Sequence, residues 1–257
     1  MPSVPQIEDD LSDVLRKARF GLDLTPQDVA RAAGCSETDL GVWEQGALPP
    51  ADRIVGLGRA LQLKSAALDL HRTKSIEATD LPTGIERIWL QRYNVNAYLV
   101  RTPDGLVLID AGDEPDRLVA ACTGKRLAAI LITHGHHDHV EAAAEVAARM
   151  AAPVYGPAGL ELDGYTVIQE GSQLFGFNVI HVPGHSDDHL AFVGHGLAFV
   201  GDVCYAGSLG RATNPGRYET LLASARRLFA LPSETVLLPG HGPCTTPAVE
   251  AEQNPFC

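Results

Sequence analysis

The rhythm of apolar positions along the chain changes once, near residue 80. Before that point Leu11, Val14, Leu15 and Ala18 recur at the spacing of a helix with one buried face. Thr25 is placed to cap a second helix, with Pro26 at its first position and Asp28 at the capping-box position. A short turn at Gly34 and Cys35 leads to Ser36, a cap for a third helix predicted to run to Gln45. Gly46 and the Pro49-Pro50 pair end it, and a fourth helix is predicted over residues 54–63. Nothing in residues 8–72 alternates as a strand does, so this part is predicted to be a small all-helical domain. The polar stretch 73–83, ending in Pro82-Thr83-Gly84, reads as a linker.

After the linker the apolar runs become short. Residues 85–89, 97–101 and 106–110 are strand-like, with a turn at Pro103-Asp104-Gly105, and 127–133 is a fully apolar strand. An alanine-rich helix is predicted over 140–150. Strand-like runs continue at 154–155, 167–169, 179–182, 191–193 and 197–200, followed by a helix at 218–229 and a strand at 235–238. Strands in succession with few interposed helices predict an α/β domain over residues 84–257, with two sheets sandwiched between helices in αββα order.

Composition narrows the class. With 257 residues, 45% hydrophobic and 20% charged, the chain has ample material for a core and suits one large domain plus a small one. No apolar run approaches a membrane span, and the acidic start (Glu8, Asp9, Asp10) lacks the layout of a signal peptide. The five cysteines are scattered and without CxxC spacing, which reads as reduced thiols in a cytoplasmic protein. A net charge of −12 argues against a broad nucleic-acid surface.

The helical part nevertheless resembles the helix-turn-helix domain of the Cro/C1 repressor type, the XRE family. The resemblance rests on Leu24-Thr25-Pro26-Gln27-Asp28-Val29-Ala30, Gly34-Cys35-Ser36, Trp43-Glu44-Gln45-Gly46 and Pro49. It implies DNA as a partner, with the helix from Ser36 to Gln45 in the major groove. Against that stand Glu37 and Asp39 at the start of this helix, where phosphate repulsion opposes docking. Residues 1–75 carry nine Lys/Arg against eleven Asp/Glu, so the basic footprint of a DNA-binding domain is missing. The alternative is a helical bundle that serves dimerisation, giving a homodimer, or that covers another surface.

The chemistry concentrates after the apolar strand 127–133, in His134-Gly135-His136-His137-Asp138-His139. His134 and His136, two apart in extended chain, project to one side and can share a metal. Asp138 and His139, at the turn into the next helix, point toward a second position. Imidazole and carboxylate ligands suit zinc, iron or manganese, and two metals about 3.5–4 Å apart make a bridging hydroxide available at neutral pH. Three further candidates end apolar runs and follow a glycine: His185 in Pro183-Gly184-His185, Asp202 in Val200-Gly201-Asp202 and His241 in Pro239-Gly240-His241.

This set, over residues 84–257, resembles the metallo-β-lactamase superfamily. The resemblance implies that His134, His136 and His185 hold one metal and Asp138, His139 and His241 the other, with Asp202 bridging. Two divalent ions are expected, zinc first, with iron or manganese as alternatives. The resemblance also implies Asp138 and Asp202 as catalytic carboxylates and Asp110, in Leu108-Ile109-Asp110-Ala111-Gly112, as a support for the metal loop, although a lone carboxylate there equally fits a turn residue. The Asp202 bridge and His139 turn the resemblance away from β-lactamases and toward the glyoxalase II, persulfide dioxygenase, lactonase and RNase Z branches, and Gly207-Ser208-Leu209-Gly210-Arg211 with Pro215-Gly216 is similar to glyoxalase II-like proteins. The implied reaction is hydrolysis of a small thioester by metal-bound hydroxide. Arg211 is then an anchor for a substrate carboxylate or, equally, a salt bridge bracing its loop. Ala212-Thr213-Asn214 departs from that branch's Thr-Asp-hydrophobe. Only sixteen residues follow His241, so the C-terminal helical domain that grips glutathione in glyoxalase II is not expected. The helical segment is expected to supply part of the pocket instead. Two other activities fit the same scaffold: an iron-dependent persulfide dioxygenase, and a DNA-binding regulator whose hydrolase-like domain senses a metabolite. His71, His137, His181, His189 and His195 are expected to be surface or core residues, and Cys204 and Cys244 small buried hydrophobes.

Overall fold

The computed structural model describes residues 6–257. Its first third is helical: α1 (Leu11–Gly21), α2 (Pro26–Ala33), α3 (Glu37–Trp43), α4 (Ile54–Ala60) and α5 (Ser65–Arg72). The first three start on reciprocal capping boxes, Asp10 with Asp13, Thr25 with Asp28 and Ser36 with Asp39. Gly34, at φ +72°, supplies the left-handed residue that ends α2. Helix α3 is shorter than its sequence predicts. It stops at Trp43 because Gly46, at φ +103°, turns the chain so that the Ala47 and Gly46 amides close back on the Val42 and Trp43 carbonyls, while the Glu44 carboxylate holds the Arg19 guanidinium at 2.6 and 2.8 Å. Helix α4 likewise ends three residues early, with Leu61 and Leu63 buried in the turn that leads into α5.

Two sheets follow. The first has the order β1 (Ile85–Leu90), β2 (Val95–Thr102), β3 (Gly105–Ile109), β4 (Leu127–Leu131), β5 (Val154–Gly156) and β6 (Thr166–Val167). The second comprises β7 (Gln173–Leu174), β8 (Phe177–His181), β9 (Leu190–Gly194), β10 (Leu197–Gly201) and β13 (Val236–Pro239), in the order β13-β10-β9-β8-β7. The small hairpin of β11 (Cys204–Tyr205) and β12 (Ser208–Leu209) stands apart. Helices α6 (Pro115–Ala121), α7 (His137–Val140), α8 (Ala143–Met150), α9 (Tyr218–Phe229) and α10 (Pro247–Gln253) complete the chain. The predicted helix over 140–150 is thus two helices, α7 and α8.

Strand alternation distributes the apolar side chains over three layers of core. Tyr98, Val100, Ile109 and Leu131 of the first sheet meet Phe177, Phe192, Phe199 and Leu238 of the second. The other face of the first sheet, through Ala97, Leu99 and Ile130, packs on Leu118 and Val146 of α6 and α8. The other face of the second, through Ala191, Ala198 and Val200, packs on Leu221, Ala225 and Leu228 of α9. This is the αββα sandwich that the strand pattern predicts.

The third core does not stop at α9. Leu11, Val14, Leu15, Val29, Leu40, Trp43 and Leu57 of the helical segment belong to the same continuous apolar cluster. Stretch 73–83 lies along the body of the sandwich, where Thr79 pairs with Cys244 and the Gln253 side chain spans both the amide and the carbonyl of Glu77.

Candidate metal centre

The strand ends β3, β4 and β10, with the turns after β8 and β13, converge at one edge of the sandwich. Asp110 follows β3 at φ +58°, a left-handed conformation that aspartate reaches more easily than most residues when its side chain is hydrogen-bonded locally. Three hydrogen bonds hold it there. Its carboxylate accepts from the Thr133 amide at 2.8 Å, the Thr133 hydroxyl at 2.9 Å and His139 Nδ1 at 2.8 Å. Asp110 therefore grips the loop that carries the histidine string, and it lies outside both clusters of inward-facing donor atoms.

Those clusters are two. His134, His136 and His185 bring one donor atom each within 4.8 Å of one another, and so do Asp138, His139, Asp202 and His241. In the first, His136 Nδ1 lies 3.1 Å from His134 Nε2 and 2.9 Å from His185 Nε2. In the second, His241 Nε2 lies 3.3 Å from Asp138 Oδ2, and His139 Nε2 lies 3.3 Å from Asp202 Oδ1. Asp202 Oδ2 touches both groups, at 3.5 Å from His185 Nε2 and 3.4 Å from His241 Nε2. All seven residues singled out by spacing thus meet.

The outer nitrogens explain which face each ring presents. His185 Nδ1 donates to the Arg211 carbonyl at 2.9 Å and His241 Nδ1 to the Asn94 carbonyl at 2.8 Å, while His139 Nδ1 is held by Asp110. Each such bond fixes the tautomer and turns an Nε2 lone pair inward. Gly240 gives the second group its room: a Cβ there would strike Asp202 Oδ1 and the His139 ring.

Electrostatics divides the two groups. Burial pushes His134 and His185 below the usual imidazole range, which favours neutral rings at these two positions of the first group. Burial also opposes charge on His139 and His241, but the Asp202 carboxylate outweighs it and pushes them up to about 10 and about 11. Asp202 in turn is held well below the carboxylate range, against its own burial, by His241 and His139. The second group calls for positive charge. His139 Nε2 and Asp202 Oδ1 are also buried without a hydrogen-bond partner, a costly arrangement that a cation between them would relieve. The donor set and these unpartnered atoms fit a pair of divalent ions.

Two residues of the site escape sequence reasoning. His189 is fully buried, stacks on His134 with centroids 4.5 Å apart, and accepts the Asp202 amide on Nε2 at 3.0 Å. Tyr205 sets its ring edge against His241 at 5.8 Å. Nothing but a position four residues after His185 marks the former, and nothing marks the latter. His71 is buried on the Gly207 carbonyl, and Cys204 and Cys244 are buried thiols. Arg211 makes no salt bridge among the described residues. Its guanidinium lies 4.4 Å from the ring centroid of Phe20 in α1, so a brace by a carboxylate is replaced by one from an aromatic ring.

Comparison with known proteins agrees with this geometry. The family model of the Metallo-beta-lactamase superfamily matches residues 90–162 and 150–241, and the chain belongs to that superfamily. The chain is 30% identical over 205 residues to the Hydroxyacylglutathione hydrolase GloC of Haemophilus influenzae, covering 67% of this chain and 97% of that protein. It is 39% identical over 142 residues to a Hydroxyacylglutathione hydrolase of Alkalilimnicola ehrlichii, covering 52% of this chain but only 55% of that one. Among solved structures, the di-iron-bound form of TTHA1623 superposes with a TM-score of 0.61 at 40% identity, covering 67% of this chain and all of its own. Each of these matches leaves about a third of the chain or more outside it.

Proposed function

We propose that the chain is a two-metal hydrolase of small thioesters, 2-hydroxyacyl thioesters of glutathione or a related thiol being the first class to test. The observation that carries this reading is the Asp202 carboxylate, whose oxygens face both donor groups at once. Two divalent ions bound there would supply a water nucleophile of lowered pKa and a Lewis acid for the thioester carbonyl. His134, His136 and His185 would hold one ion, and Asp138, His139 and His241 the other, with Asp202 between them. Asp138 engages His139 and His241 through Oδ2 alone, which leaves Oδ1 to accept a hydrogen bond from the attacking water and orient it. Arg211, exposed beside His185, offers a bidentate anchor for a carboxylate on the substrate. The completeness of the second group favours this reading over a mononuclear iron dioxygenase. Zinc is the first expectation for the ions, with iron or manganese as alternatives. Metal analysis of protein purified without added metal, run with a thioester panel, tests the reading. Two ions per chain and turnover of a hydroxyacyl thioester are expected; one ion, or oxygen uptake with a persulfide, would replace it.

The helical segment is read as a helix-turn-helix unit turned to structural use, with 8–72 as its extent, 73–83 as linker and 84–257 as the hydrolase domain. Asp39 serves the α3 capping box and Glu37 sits in the first turn, so the helix N-terminus that would meet phosphate is stabilised by acid instead. Titration with a DNA duplex at low salt is expected to give no salt-sensitive complex; tight binding whose affinity falls steeply with salt would restore the regulator reading. No helix of the described residues is long and apolar enough to cross a membrane. Five free cysteines suit a reducing compartment, and we place the protein in the cytoplasm.

A further inference from the structure

The stretch from Glu8 to Lys17, which lies before every residue the family comparison matches, touches the turn that carries His241. The main-chain nitrogen of Glu8 lies 3.2 Å from where a Cβ of Gly242 would stand. From there two chains of contact run to the His241 ring.

The first passes through Asn94. This residue sits at φ +55°, a left-handed conformation that asparagine, unlike most non-glycine residues, enters readily in turns. Its carboxamide supplies the restraint, donating from Nδ2 to Glu8 Oε2 at 2.9 Å and accepting the Trp89 indole N–H on Oδ1 at 2.8 Å. In that conformation the Asn94 carbonyl meets His241 Nδ1, the bond that turns Nε2 toward Asp138 and Asp202. The second passes through Tyr205, whose ring packs edge-on against His241. Lys17 Nζ lies 4.9 Å above the centre of that ring, donates to the Leu209 carbonyl at 2.7 Å and pairs with the buried Asp9. Asp9 also accepts the Ser208 hydroxyl at 2.5 Å. The hairpin of β11 and β12 that carries Tyr205 is thereby tied to the amino-terminal stretch at both of its strands.

We infer that Glu8 and Lys17 are positioning residues of the second metal group: they hold His241 in its ligating orientation from outside the family fold. The inference rests on the two-metal reading. Its chemistry is that of an outer hydrogen-bond shell, whose loss typically weakens metal binding about 10–100-fold. Because the contacts converge on His241 and leave His134, His136 and His185 alone, the loss falls on one ion only.

The test compares the full chain with Glu8→Ala, Glu8→Gln and Lys17→Met. Zinc dissociation constants are measured by competition with a chromophoric chelator, and unfolding of the metal-free proteins is followed by circular dichroism. Glu8→Ala and Lys17→Met are expected to weaken the second zinc about tenfold or more, with the first within about twofold. Glu8→Gln, which keeps an acceptor for Asn94, is expected to retain native affinity. A Glu8→Ala protein that binds both ions as the native chain does overturns the inference. So does an equal weakening of both ions, which would mark a general loss of structure. Should Lys17→Met fail to fold, the Glu8 pair decides alone. A native stoichiometry of one ion would sink the two-metal reading separately. In that case histidine-labelled NMR still decides: a slowly exchanging His241 Nδ1 proton lost in Glu8→Ala and kept in Glu8→Gln supports the positioning role, and one unchanged in both removes it.

Discussion

Replacing Asp202 by asparagine is expected to lower thioester hydrolysis by about a thousandfold or more, a loss of about 4 kcal/mol of transition-state stabilisation. The second zinc should be lost with it. Among the described residues Asp202 is the carboxylate that pairs with nitrogens of both donor groups, and an amide cannot supply the charge that two cations share. The same variant reports on the metal-free protein. His139 and His241 are pushed up to about 10 and about 11, above the ordinary imidazole value near 6.5, against their own burial and chiefly by Asp202. A raised histidine stabilises the fold fully below the unfolded value and loses that contribution as pH rises through the folded one. Metal-free native protein should therefore gain stability from these two histidines near pH 6 and lose it by pH 10–11. Metal-free Asp202→Asn should lose the Asp202 share of this gain and keep that of Asp110 and Asp138, so the gap between the two unfolding curves is widest near pH 6 and narrows as pH rises. Chelator-treated samples melted at a series of pH values check this. Retention of both ions with activity within tenfold of native would end the bridging role.

The site was more legible than its surroundings, for a physical reason. Metal ligands must be histidine or carboxylate, and strand ends must deliver them, so spacing and chemistry coincide at His134, His136, Asp138, His139, His185, Asp202 and His241. Asp110 was legible only through family resemblance, since a lone carboxylate after a strand carries no signal of its own. Strands with several alternating residues were also readable, and α9 falls where 218–229 predicts it. The two-residue strands β7, β11 and β12 are too short for any period to show, and α6 and α10, helices of seven residues that open on a proline, are too short for a helical period to stand out. Support from His189, Tyr205 and Asn94 was illegible, because second partners are recruited by tertiary proximity from residue types that any core contains. The same limit hid the amino-terminal stretch. Glu8, Asp9 and Asp10 read as an acidic start, yet one orients Asn94, one is buried on Lys17 and Ser208, and one caps α1.

Removing residues 1–75 is expected to leave a fragment that does not fold to a soluble hydrolase, the largest structural effect foreseen here. The sequence divides cleanly near residue 80, but packing ignores that division. Leu11, Val14, Leu15, Leu57 and Leu61, each at most 2% exposed, belong to the core that also contains Val182, Tyr218, Leu221 and Phe256. Burying a side chain of this size contributes about 1.5–3 kcal/mol, so losing even a few of them rivals the whole stability of a domain, about 5–15 kcal/mol. Polar losses add to this. The Gly207 carbonyl would lose His71, the Pro255 carbonyl the Lys64 amide, and the Ser208 hydroxyl and Leu209 carbonyl would lose Asp9 and Lys17. The last two lie in the hairpin beside Asp202, so metal binding should fail in whatever fraction stays soluble. Expression of 76–257 with size-exclusion chromatography and metal analysis gives the answer. A monodisperse fragment with two ions and native turnover would show that the helical segment is a separable domain, and would leave its contacts with the metal edge without consequence.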